Sequence, residues 1–124
     1  MPKLHHIALG AQNVEALAAF YRDALDLTET SRHLHPDGSL RSIWLALGDA
    51  LLMIEAAETP PPPRADREAG WCLLALTCAA QNLATQTAAL LQANATADGH
   101  TASTRYFRDP EGNRFALSCY PDTP

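Results

Sequence analysis

With 124 residues, 47% hydrophobic and 19% charged, the chain has the size and proportions of one globular domain, which excludes a disordered segment. Lys and Arg number 9 against 14 Asp and Glu, and the resulting net charge of −5 offers no footprint for nucleic acid. No run reaches the ~20 apolar residues that span a bilayer, and the opening MPKLHHIALG lacks the order of a signal peptide, so the expectation is a cytoplasmic protein with no membrane contact.

Taken in chain order, His5 to Leu9 reads as a short strand, and Asn13 is placed to cap a helix from Val14 to about Leu25. Val14, Leu17, Tyr21 and Leu25 form its apolar stripe. Strands are expected over Thr28 to Leu34, Leu40 to Leu47 and Leu51 to Ala56, separated by the Pro36-Asp37-Gly38 and Gly48-Asp49 turns. Four consecutive prolines, Pro60 to Pro63, and the charged stretch RADREAG then form a stiff spacer. After it, Trp71 to Cys78 reads as an apolar strand, and Asn82 caps a helix to about Ala93 whose Leu83, Leu90 and Leu91 share a face. Ala95 to Ser103 is ambiguous, with a turn at Asp98-Gly99. Thr104 to Phe107 and Arg114 to Tyr120 are strands joined through DPEGN.

Each half thus reads β-α-β-β-β, and the wording IALGAQNVEAL in the first parallels LALTCAAQNLATQ in the second. The expected fold class is α+β, two such modules sharing a sheet or cleft in one domain over 1–124: module one 1–59, a Pro-rich linker 60–69 and module two 70–124. Cys72, Cys78 and Cys119 lack CxxC spacing and sit in strand-like contexts, so they are expected to be small core residues.

The segments HHIALGAQNVEALAAFYRDALDL, GDALLMIE and YFRDPEGNRFAL resemble the vicinal oxygen chelate superfamily, which includes glyoxalase I, methylmalonyl-CoA epimerase, extradiol dioxygenases and the fosfomycin- and bleomycin-resistance proteins. The resemblance implies a partly closed, barrel-like mixed sheet around a cleft with the helices outside, and a homodimer. In metal-dependent members each module gives one ligand from its first strand and one from its last, which by motif fall on His6 and Glu55 in module one. Strand alternation places His6 with Ala8, and Met53 with Glu55, on the side away from Ile7 and Ile54, a half-site for Zn, Ni, Mn or Fe. In module two the matching positions are Leu73 (or, shifted by two residues, Ala75) and Ala116, none of which coordinates a metal.

Two function classes follow. One is a binder of a small organic molecule with an incomplete or absent metal site, in a cleft walled by Met53, Leu73 and Ala116, with His6, Glu55, Arg114 and Ser118 as polar contacts. The other is a divalent-metal-dependent, glyoxalase-like lyase or isomerase in which Glu55 moves the proton. A dimeric domain with no ligand is the blander alternative. The same residues also have plain readings: His6 hydrogen-bonded to Glu55, or Glu55 as a strand-end carboxylate in water. His5 is expected on the opposite face, His33, His35 and His100 at solvated turns, and Trp44 and Trp71 in core or dimer contacts. Arg105, Arg108 and Arg114 cluster in the late hairpin, where they would attract an anion or simply form a soluble rim.

Overall fold

Asn13 starts the first helix as its side chain predicts: its Oδ1 accepts from the Ala16 N–H at 3.0 Å, satisfying one of the otherwise unpaired donors of the first turn. The helix, α1 (Val14–Leu25), ends at Asp26 in the left-handed region with φ 54°. A computed structural model describes residues 1–59 and 69–124, so the proline run and most of the expected linker lie outside the described residues. The chain divides into two compact units, Met1–Pro61 and Pro62–Pro124.

In the first unit, β1 (His6–Ala11), β2 (Glu29–Leu34), β3 (Leu40–Leu47) and β4 (Ala50–Ala56) form a sheet of order β1-β4-β3-β2. β1 runs parallel to β4 and the other pairs are antiparallel. Gly48, with φ 57°, makes the tight turn from β3 to β4. α1 packs on β3 and β4. Ile43, Leu45, Leu52 and Ile54 are fully buried, as are Leu17 and Tyr21 on α1, and this layer is the unit's core.

The second unit repeats the plan. β5 (Leu74–Thr77), α2 (Leu83–Gln92), β6 (Thr96–His100), β7 (Thr104–Arg108) and β8 (Arg114–Ser118) give the order β5-β8-β7-β6, with β5 parallel to β8. The α+β class and the doubled β-α-β-β-β order are as expected. Phe107, Phe115, Leu117, Leu83 and Leu90 are buried.

Several local expectations are corrected. β5 begins at Leu74, so Trp71, Cys72 and Leu73 precede it. Trp71 is 90% exposed and Cys72 is exposed too, so neither is a core residue of this unit. The apolar run WCLL imitates a strand, but the sheet pairs only its end with β8. Asn82 makes no side-chain cap, because a short 3-10 turn over Ala80–Asn82 leads into α2. Leu91 is 45% exposed and does not share the buried face of Leu83 and Leu90. Asp98-Gly99 lies inside a strand whose pairing with β7 shifts between Ala97 and His100, so the turn signal marks an irregularity and not a strand break. No helix among the described residues is long and apolar enough to cross a membrane.

Candidate functional site

The face of the first sheet turned away from α1 is set by register. Ser42 lies opposite Glu55 and Trp44 opposite Met53 across β3 and β4, while His33 and Ser31 on β2 lie opposite Ser42 and Trp44. On β1, Gly10 lies beside Glu55, Ala8 beside Met53 and His6 beside Leu51. All share one face, because side chains alternate along each strand. One row across the sheet therefore reads His33, Ser42, Glu55, Gly10.

The sequence placed His6, Met53 and Glu55 on a common face, and the register puts them there. It does not bring His6 to Glu55. Their partners, Leu51 and Gly10, show that four residues of strand separate them, about 13 Å at ~3.3 Å per residue. His6 is exposed, and its Nδ1 lies 2.8 Å from Nδ1 of His5, the two rings meeting edge to face. A metal with bonds of ~2.0–2.2 Å does not span the His6 to Glu55 separation. No group of three or more His, Cys, Asp or Glu that could hold a metal ion occurs among the described residues. With Leu73 and Ala116 lacking donor atoms, the residues expected at a metal site do not fit a metal ion.

Three side chains that the sequence did not single out as ligand-contacting give this face its chemistry. Ser42 is 1% exposed, and its Oγ has no hydrogen-bond partner among the described residues. Nor has the Trp44 Nε1, also buried, a partner among the described residues. The Trp44 ring instead packs against His33, with centroids 4.4 Å apart, while His33 Nε2 lies 3.2 Å from the Ser31 hydroxyl. His33 is thus a half-buried buttress of Trp44 and not a solvated turn residue. Glu55 is half-buried and Met53 is 7% exposed. The omission has a simple cause: Ser42 and Trp44 carry a signal only once β3 and β4 are paired, since RSIWLAL alone reads as an ordinary buried strand.

The equivalent face of the second unit is built in the same register. Thr104 opposes Ser118 and Tyr106 opposes Ala116, as Ser42 opposes Glu55 and Trp44 opposes Met53. Thr77 and Ala75 on β5 flank Ser118 and Ala116 in the same way as Gly10 and Ala8 flank Glu55 and Met53. Within the repeat the counterpart of Glu55 is therefore Ser118, and Ala116 is the counterpart of Met53. Here the polar groups are paired. The Thr104 and Ser118 hydroxyls lie 2.8 Å apart. Arg114 donates from Nε to Asp98 at 3.0 Å and stacks over the Tyr106 ring at 4.4 Å, and Arg108 donates to the same Asp98 oxygen. The Arg114 hydrogen bond, with Arg108 close by, holds the Asp98 carboxyl below the usual aspartate range despite partial burial. Arg105, from the same expected cluster, donates to the Thr101 carbonyl at 2.9 Å.

Residues 3–117 match the family model of the Glyoxalase/Bleomycin resistance protein/Dioxygenase superfamily. The chain is similar in structure to a glyoxalase family protein from Enterococcus faecalis, with a TM-score of 0.74 at 22% identity, over 94% of this chain and 96% of that one. It is similar to a fosfomycin resistance protein from Listeria monocytogenes, solved with Mn(II) and a dihydroxypropylphosphonic acid (TM-score 0.74, 14% identity, 96% and 90% covered). A lactoylglutathione lyase from Agrobacterium tumefaciens is similar at a TM-score of 0.67 and 18% identity, with 94% and 92% covered. No curated protein matches the sequence. The chain belongs to the glyoxalase/bleomycin resistance/dioxygenase superfamily.

Proposed function

We propose that this protein binds a small, uncharged organic molecule at the face of its first sheet turned away from α1, without the metal of its metal-dependent relatives. The observation that carries this reading is a pair of buried polar atoms without a partner among the described residues, Ser42 Oγ and Trp44 Nε1, on the same face as the half-buried Glu55. A buried polar group without a partner costs about 1–3 kcal/mol, a cost that a ligand supplying the partner removes. The atom types define that ligand. Trp44 Nε1 only donates, a Glu55 carboxylate only accepts, and Ser42 Oγ does either. The fitting molecule presents an acceptor to Trp44 and a donor, such as a hydroxyl or amide N–H, to Glu55, with an apolar body against Met53 and Ala8.

A panel of neutral hydroxyl- and amide-bearing fragments, screened against ¹⁵N-labelled protein, tests this. The Trp44 indole N–H resonance is expected to shift, while that of exposed Trp71 serves as the internal control. Loss of the Trp44 response in Ser42→Ala, and of the fragment-induced backbone amide shifts of β3 and β4 in Trp44→Phe, with the fold intact by circular dichroism, is the supporting result. If no fragment moves the Trp44 resonance, or if the β3 and β4 amide shifts persist in both variants, the reading is wrong.

A second reading is favoured by the absence of any ion pair or hydrogen bond to Glu55 among the described residues. Such a carboxylate can take a proton from a bound molecule, so the protein would be a lyase or isomerase of the glyoxalase kind. Glu55→Gln distinguishes the two: it abolishes turnover in an enzyme, whereas a binder still captures the fragment. A homodimer, the arrangement the family resemblance implies, belongs to the same proposal and is checked by light scattering.

A further inference from the structure

The second unit holds a feature that ligand binding does not use. β5 and β8 pair in parallel as far as Thr77 and Ser118, and the Cys78 N–H then donates to the Ser118 carbonyl at 2.9 Å, continuing the ladder by one step. In a parallel ladder that bond makes Cys78 and Cys119 neighbours on one face, on strands ~4.8 Å apart. Such a spacing lies within the ~4.4–6.8 Å Cα separation of disulfides. Both cysteines are free, and they are 4% and 6% exposed.

We propose that Cys78 and Cys119 are an oxidisable dithiol, a covalent modification site that a peroxide closes into a disulfide tying β5 to β8. In the reduced protein the two sulfurs are turned to backbone carbonyls. Cys78 Sγ lies 3.4 Å from the Ala79 oxygen, and Cys119 Sγ lies 3.4 Å from the oxygens of both Ser103 and Asp122. Rotation about each Cα–Cβ bond turns them toward each other. One thiol gives up its proton and attacks a peroxide oxygen; the O–O bond breaks, water leaves and a sulfenic acid remains. The second sulfur displaces that oxygen as another water, forming the S–S bond. Two thiols lose two electrons and two protons, and the peroxide becomes two waters.

The segment after Cys119 bears on that sulfur, whose neighbour Asp122 supplies one of its carbonyl contacts. The exposed residues from Tyr120 to Pro124 follow Cys119 directly, and Asp122 is fastened by the Ser103 hydroxyl at 2.7 Å. Burial, and then the neighbouring Cys119, push the Cys78 thiol up, which makes oxidation slow at neutral pH and faster as pH rises.

The test uses the full chain carrying Cys72→Ser, which removes the exposed thiol and with it intermolecular coupling through that site. The protein is treated with hydrogen peroxide at neutral and alkaline pH. Thiols are then counted in denaturant, and unreduced peptides are mapped by mass spectrometry. The expected result is a fall from two free thiols to none, faster at alkaline pH, with a linked peptide pair containing Cys78 and Cys119 in a monomer that a dithiol reductant restores. Two thiols still titratable after prolonged treatment, or sulfinic acids in place of the linked pair, overturn the proposal.

Discussion

Single residues here act through the hydrogen bonds that they hold or lack. Asp109, 4% exposed, accepts from the Glu111 and Asn113 N–H groups at 2.9 and 3.0 Å and from the Asn113 side chain at 2.9 Å, so one carboxylate organises the whole DPEGN turn. Asp109→Ala is expected to cost about 1 kcal/mol in urea unfolding, because it leaves three half-buried donors unpaired. The sequence showed this loop as a turn, since Asp, Pro and Gly-Asn are local signals. It also showed the common face of His6, Met53 and Glu55, since alternation is local too. What it did not show is the spacing between His6 and Glu55, because nothing in either strand specifies which residue pairs with which across β1 and β4. The importance of Ser42 and Trp44 escaped for the same reason.

Whole elements add two contrasts. Both helices follow an Asn, but only Asn13 accepts a capping bond. Asn13→Ala is therefore expected to destabilise the fold by about 1 kcal/mol, and Asn82→Ala to be nearly silent, in parallel thermal melts. β2 is clamped to α1 by charge: Arg32 donates to Glu15 at 2.7 and 2.9 Å and to Glu29 at 2.7 and 3.0 Å. Hydrogen bonds from Arg32 hold both glutamates below their ordinary range. Groups depressed in this way stabilise the fold above the unfolded carboxylate value near 4.3, and that contribution is lost as pH falls through the lowered folded values. Stability measured from pH 6 to pH 2 is expected to fall more steeply in the parent than in Arg32→Gln, and the difference should shrink in high salt because the pair is exposed. The elements themselves were legible wherever apolar period and cap coincided, as in α1. They were misread where an apolar run continued past its pairing partner, as at Trp71 and Cys72.

For the molecule as a whole, the absence of a three-ligand cluster among the described residues predicts that a chelator leaves the melting temperature unchanged. A clear drop on adding EDTA would mean that a metal holds the fold. The internal repeat was legible because the sequence carries it twice, and the structure extends it to the register of individual side chains. Ser42, Trp44, Met53 and Glu55 correspond to Thr104, Tyr106, Ala116 and Ser118. In the second copy the hydroxyls bond to each other and the aromatic ring is covered by Arg114, while in the first the serine and indole groups have no partner among the described residues. One of two equivalent faces has thus spent its polar groups on its own cohesion. Under the proposed binding reading, substitutions at 42, 44 and 55 are expected to alter recognition while their counterparts at 104, 106 and 118 keep the second copy's scaffold, a duplicated plan of which one half carries the cohesion and the other the contacts.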